Sequence, residues 1–301
     1  MIEPDLRGRS VFFGGFASVI FLGVFFNVSS NVFSVSPGRA CRGLWRDREL
    51  LAALVQREVL GRYRGSVMGV MWSFFNPILM LAVYTFVFSV VFKARWNVAS
   101  ESKTEFALVL FAGLIAYGIF SECVNRAPIL IVSNPNYVKK VVFPLELLPV
   151  VTMGAALFHG LVSTGVWFIF YLFFFGVPPV TALLLPFVFL PLVLLTLGLS
   201  WLLASLGVYL RDVAQVVTVL TGVLMFMSPV FYPISALPSE FQSILLINPL
   251  TASIEMLRDV IYWGRIPDAQ TYMGNLILGL LAAWFGFAWF QKTRKGFADV
   301  L

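Results

Sequence analysis

Three groups of charged residues in this chain have types and spacings that suit chemistry. Arg57, Arg62 and Arg64 carry guanidinium groups that can hold a phosphate or pyrophosphate through charge-assisted hydrogen bonds. Anchoring to anionic lipid head groups is an equally good use of them. Glu255, Arg258 and Asp259 stand at i, i+3 and i+4, so Glu255 can meet both of the others on one helix face. Such a cluster can close a passage, or it is simply a solvated face. Lys139 and Lys140 suit an acidic partner surface, while Arg211 and Asp212, as immediate neighbours, point apart on a helix and take different partners. Other chemistry finds no support. There is no G-x-x-x-x-G-K-[ST] run to cradle nucleotide phosphates. Cys41 and Cys123 have neither disulfide-type nor zinc-type spacing, and His159, alone in an apolar run, reads as a helix–helix hydrogen bond.

The elements that carry these groups must lie in lipid. Of the 301 residues, 59% are hydrophobic and only 12% charged, with a mean hydropathy of +0.90; no soluble core could hide that much apolar surface. The net charge of +6 is scattered between apolar runs, the pattern of membrane orientation and not of nucleic-acid binding. Runs free of Asp, Glu, Lys and Arg mark the spans: Met68 to Phe92, Phe106 to Ser121, two helices within Leu147 to Leu210 separated by a turn at Gly176-Val177-Pro178-Pro179, Val213 to Ser239 with its end near the Ser228-Pro229 and Tyr232-Pro233 breaks, and Ala269 to Gln291. The prediction is an all-α integral membrane protein with six spans over residues 68–292 and a short cytoplasmic tail, 293–301. With both ends on one side, 16 Lys and Arg fall inside and five (Lys93, Arg95, Lys103, Arg258 and Arg265) outside, so the positive-inside rule puts both termini in the cytoplasm.

Residues 41–67 read as an amphipathic interfacial helix. Leu44, Leu51, Leu54, Val55, Val59 and Tyr63 lie on one side and Arg46, Glu49, Gln56, Arg57 and Arg64 on the other, with Glu58 and Arg62 as an i,i+4 pair. Asn134-Pro135 is an N-cap and first-turn signal for a cytoplasmic helix that runs to about Phe143 and stops at Pro144. Asn248-Pro249 repeats that signal on the outer side, for a helix ending near Gly264. With Pro238 to Ile247 it predicts two short re-entrant helices before the last span. Residues 1–40 form an uncertain N-terminal extension. Arg7 and Arg9 before the apolar stretch Val11 to Val35 resemble a signal sequence, but a span or cleaved signal there would put the basic segment Arg39 to Arg64 outside. A peripheral extension, or an upstream start-site artefact, is the expectation.

These same positions carry a resemblance. Arg62-Tyr63-Arg64-Gly65-Ser66 with Gly69, Trp72 and Asn76-Pro77, then Lys139-Lys140-Val141-Val142-Phe143-Pro144-Leu145-Glu146, Tyr209-Leu210-Arg211-Asp212-Val213, Ser228-Pro229-Val230-Phe231-Tyr232-Pro233 and Asn248-Pro249-Leu250 resemble, in order and spacing, the permeases of type 2 ABC exporters of polysaccharide. The resemblance covers roughly residues 45–292. It implies a homodimeric permease with a separate ABC ATPase subunit that holds ATP and Mg²⁺, this chain carrying no cofactor of its own. The cargo it implies is a glycan on a polyprenyl pyrophosphate carrier, of O-antigen, capsule or teichoic-acid type, moved across a bacterial inner membrane. Asn134, Tyr137, Lys139, Lys140, Arg211 and Asp212 would then couple to the ATPase. Glu255, Arg258 and Asp259 would gate the periplasmic end, and Arg57, Arg62 and Arg64 would receive the lipid head group. The channel would be lined from the first and fifth spans by Trp72, Phe75, Tyr84, Phe88, Phe226, Phe231 and Tyr232. The chain's 31 Phe, 8 Trp and 9 Tyr suit that role, because ring faces pack on the C–H faces of sugars while Tyr and Trp add a polar handle. A type 2 exporter of drugs or small lipids is the alternative. An integral-membrane enzyme acting on lipid-linked sugars is a more distant one, since the charge-free spans offer no acid/base carboxylates.

The 16-to-5 charge split has a direct test. Single cysteines at Ser100 and Asp268 are expected to react with a membrane-impermeant thiol reagent in intact cells, and one at Lys295 to stay unlabelled. Labelling at Lys295 would reverse the topology.

Overall fold

The computed structural model describes residues 46–92, 96, 103–139 and 143–301; residues 1–45, with the N-terminal extension and Leu44, and Lys140 to Val142 lie outside them. Every regular element among the described residues is helical. Helix α1, Arg48–Arg62, leads to a 3₁₀ turn at Gly69–Met71 and to α2, Trp72–Tyr84. From there the first apolar run continues as a π-helix, Thr85–Val91, whose wide turn ends with the Phe92 N–H donating to the Val87 carbonyl five residues back. Then come α3, Lys103–Arg126, the short α4, Pro135–Lys139, and α5, Leu147–Phe175. Gly176, at φ 88°, ends α5 in a conformation that only glycine adopts without strain, and the predicted Gly-Val-Pro-Pro turn delivers the chain to α6, Leu185–Tyr209. The remaining helices are α7, Val213–Phe226, α8, Ser239–Ile247, α9, Pro249–Arg258 continued by a π turn Asp259–Trp263, α10, Ala269–Thr293, and α11, Phe297–Val300. Asp268 caps α10 by accepting from the Thr271 N–H and hydroxyl at 2.8 and 2.9 Å. Those bonds hold its carboxyl below the usual carboxylate range.

Among the described residues, five segments are long and apolar enough to cross a membrane: Gly69–Phe88, Thr104–Ile129, Leu147–Phe175, Val180–Tyr209 and Ala269–Val300. Within the predicted fifth span, Val213–Ser239, the helix stops at Phe226, just before the Ser228-Pro229 break expected to end it. The reason lies in Pro229 and Pro233, which lack the N–H groups a continuing helix needs. At 14 residues, α7 extends about 21 Å, short of the roughly 30 Å hydrocarbon core. The second predicted span, in contrast, is too short: α3 runs on through Glu122 to Arg126. It can hold those charges because α1 supplies partners for both. Arg62 pairs with Glu122 and Glu58 with Arg126, so the predicted Glu58–Arg62 pair within α1 gives way to two pairs between helices.

Helix α3 is the axis of the fold. Val109, Leu110, Ala112 and Ala116 along it are fully buried, and α5, α6, α7 and α9 pack around it. Trp167 of α5 donates its indole N–H to the Leu108 carbonyl at 2.8 Å. The Tyr117 hydroxyl donates to the Thr221 carbonyl of α7, and the Thr221 hydroxyl to Asn125 at 2.8 Å. Helices α6 and α10 form the tightest pair. A Cβ on Gly286 would lie 2.0 Å from the Gly198 carbonyl oxygen, and one on Gly198 2.3 Å from the Ala282 carbonyl. Without a hydrophobic drive between helices in lipid, such close backbone approach supplies the packing.

Gly286→Val is therefore expected to separate α6 from α10 and to lower thermal stability in detergent sharply, at or beyond the 1–3 kcal/mol of ordinary overpacking. Gly274→Val, at a site with nothing within 4 Å of a new Cβ, serves as control. Equal melting temperatures for the two variants would refute the backbone contact.

Candidate functional site

At one end of the bundle, α1 lies across α3 and α5 and is fixed there by charge. Besides the two ion pairs with α3, the Arg57 guanidinium donates to the Tyr137 hydroxyl of α4 at 2.7 Å, and Val55 sits against Gly154 of α5, where a Cβ would come within 2.6 Å. Tyr63, just past α1, brings its hydroxyl to 3.4 Å from Nδ1 of His159, which gives the lone histidine the interhelical contact expected of it. Of the three predicted head-group arginines, only Arg64 is exposed without a partner among the described residues; Arg57 and Arg62 are engaged by α4 and α3.

Helix α4 is described over Pro135–Lys139; Lys140 to Val142 lie outside the described residues, and Phe143 stacks its ring on Tyr137 with centroids 4.4 Å apart. Asn134 does not cap by accepting: its carboxamide donates to the Leu130 carbonyl at 2.9 Å. Lys139 is exposed, as are Arg211 and Asp212 at the turn between α6 and α7. Glu146, before α5, pairs with Arg294 after α10 at 2.9 Å, so α4, the α5 start and the C-terminal segment share one end of the molecule.

Toward the other end the predicted channel rings sort into two sets. Phe88, in the π segment, contacts Tyr84 at 6.3 Å, Phe231 at 5.9 Å and Phe106 of α3 at 5.4 Å between ring centroids, and Phe226 stacks on Phe231 at 5.7 Å. The Tyr232 hydroxyl donates to the Phe226 carbonyl at 2.8 Å and holds the turn after α7 closed. Four of the seven predicted rings therefore meet. Trp72 and Phe75 stand apart on α2, each 44% exposed, Trp72 lining a cavity of about 250 Å³ with Asn76, Glu122 and His159.

The predicted outer trio is not a solvated face. Arg258 is 0% exposed. Its Nε donates to the Val109 carbonyl of α3 at 3.0 Å, Nη1 to the Pro229 carbonyl and to Glu255, both at 2.6 Å, and Nη2 to the Val230 carbonyl at 2.9 Å. The guanidinium also lies 4.3 Å over the Trp96 ring, a cation–π contact. Asp259, by contrast, takes no part in the pair between Glu255 and Arg258. Sequence reasoning missed Gly113, where a Cβ would sit 2.7 Å from Nη2 of Arg258. A glycine inside an apolar helix gives no sign of what it admits.

Gly113→Ala is expected to expel the guanidinium and to destabilise the protein about as much as Arg258→Met, each by several kcal/mol, since a displaced buried charge strands Glu255 and three carbonyls. If the two changes act through the same contact, the double variant should cost little more than either alone. Additive losses in melting temperature would show that Gly113 acts elsewhere.

The sequence matches the family model described as ABC-2 type transporter over residues 49–262. It is 31% identical to the O-antigen export system permease protein RfbA of Myxococcus xanthus, across 87% of this chain and 98% of that protein. To the protein of the same name in Klebsiella pneumoniae it is 27% identical, over 84% and 95%. To the polysialic acid transport protein KpsM of Escherichia coli it is 24% identical, over 81% and 92%. The matched residues run from α1 through the buried arginine to the π turn that follows it, and the chain belongs to the ABC-2 type transporter family.

Proposed function

We propose that this chain is the membrane-spanning permease subunit of an ATP-driven exporter that moves polyprenyl-pyrophosphate-linked polysaccharide, of O-antigen or capsule type, across the inner membrane. The observation that carries the reading is the ring cluster of Tyr84, Phe88, Phe226 and Phe231, joined to relatives named as O-antigen and polysialic acid transporters. A path walled by rings offers a sugar chain repeated weak contacts and no deep well, which is what conduction requires. The α2–π segment and α7 also carry exposed apolar faces, including Phe86, Val90, Val219, Val223 and Phe226, suited to a second copy of the chain across a shared passage.

ATP and Mg²⁺ belong to a separate ABC ATPase subunit docked at the cytoplasmic end, against α4 and the α6–α7 turn. There Tyr137, Lys139, Arg211 and Asp212 are the contact residues; Lys140 is assigned to the same role from its place in the sequence. Arg57 ties that contact to α1, so closure of the ATPase pulls on the interfacial helix directly. Exposed Arg64 is the arginine best placed for a lipid pyrophosphate. Glu255 and Arg258 hold the periplasmic end, and both termini face the cytoplasm.

The test replaces rings by a side chain of similar bulk. Phe88→Leu and Phe231→Leu are expected to lower surface polymer several-fold and to trap polymer inside the cell at matched permease levels. Phe187→Leu, at an exposed position of α6, leaves export unchanged. Normal export from both cluster variants would remove the rings from the transport path.

A further inference from the structure

The ring cluster does not end at Phe106. Trp96 packs on it at 5.5 Å, so ring contacts run from Phe231 through Phe88 and Phe106 to Trp96. Beyond Trp96 opens a cavity of about 380 Å³, lined on its other sides by Trp263, Glu255, Asp259, Arg265 and Ser235. That volume lies within the 300–1,000 Å³ range of small-ligand pockets.

The lining has the composition that sugar recognition requires. Two indoles supply flat apolar surface for the C–H faces of a pyranose. The carboxylates of Glu255 and Asp259 accept from hydroxyls, and Arg265 and Ser235 donate to them. Asp259 is half-buried, and its carboxylate makes no hydrogen bond among the described residues. Glu255 gives Oε1 to Arg258. Charge narrows the ligand further. The two carboxylates face the two guanidiniums of Arg258 and Arg265, so the site is formally neutral. A divalent cation would have to displace Arg258 from Glu255, and an anionic sugar would confront both carboxylates; a neutral sugar meets neither cost. Trp96 is held in place by the Arg258 guanidinium at 4.3 Å, and Arg258 is immobilised by three carbonyls. The pocket is therefore built beside a guanidinium held by three carbonyls and a carboxylate.

We propose that this cavity is a subsite for one neutral pyranose unit of the exported chain, placed where the ring-lined path ends. The inference rests on the polysaccharide-export reading above and adds to it a stationary contact at the exit. A growing or sliding chain thereby dwells one sugar at a time beside α9.

Photo-crosslinking in cells making their own polymer tests it with the full-length permease and its ATPase. Benzoylphenylalanine at Ile234, on the wall of the cavity, is expected to give a permease band shifted by attached glycan. The same probe at exposed Leu280 of α10 gives none. In Trp263→Leu, and separately in the isosteric Asp259→Asn, the shifted band should fall at least tenfold at equal permease levels. No shifted band at Ile234 while polymer reaches the surface overturns the subsite and leaves the export reading standing. So does a shifted band that persists in both variants. Loss of the band with EDTA would reassign the carboxylates to a divalent ion, which also overturns it. A deletion strain that still displays polymer would bring down the export reading itself, and the subsite with it.

Discussion

The structure depends on one constraint: backbone broken at membrane depth must find its hydrogen bonds inside the protein. Helix α7 is broken by Ser228-Pro229, which leaves the carbonyls of Pro229 and Val230 without helical donors. One side chain satisfies both. Arg258 reaches them from α9, binds a third carbonyl on α3 and pairs with Glu255 on its own helix. A buried charge alone would be ruinous and a broken helix alone nearly so; together they are mutually satisfied. This explains why the chain turns back after α7, why α9 lies against α3, and why Gly113 is a glycine. The rings of Phe226 and Phe231 flank the break, so their meeting with Phe88 follows from the same knot.

The opposite end obeys a second electrostatic rule. Helix α3 emerges with Glu122 and Arg126, and α1 meets them with Arg62 and Glu58, a crossed set of charges that fixes the register of α1 on the bundle. Exposed pairs of this kind contribute little each, but they fix where α1 lies. Through Arg57 and Tyr137 that position is shared with α4. Helices α1, α4 and the central α3 are therefore one mechanical unit, while α6 and α10, in direct backbone contact, form another.

How much of this was legible in the sequence follows from the range of each interaction. The α5–α6 turn, the starts at Pro135 and Pro249, the end at Gly264 and most span limits are local events, set by proline, glycine and charge within a few residues, and they could be read off. The length of α3 could not, since its terminal charges are tolerated only because of residues about sixty positions away. The end of α7 was legible to within a few residues from the Ser228-Pro229 and Tyr232-Pro233 breaks. Glu255 and Arg258 were recognised as a pair, but whether they closed a passage or faced water stayed open, because sequence spacing reports the helix face and not what covers it. Trp96 and Trp263 went unremarked for the same reason: an indole in an apolar protein has no sequence context that separates packing from recognition.

The π segment at Thr85–Val91 has a geometric consequence. A π turn holds one residue more than the α turn on either side of it, and that surplus belongs to no fixed position. Passing it along the helix by one residue exchanges one set of backbone bonds for another of equal number. Each residue it passes is re-phased by about 100° around the helix axis. Phe88 lies within that stretch, with stacked neighbours on both α3 and the turn after α7. The ring contacts of Phe88 are thus mounted on a part of the first span whose winding is adjustable, and they can be re-cut without bending a helix or moving it sideways.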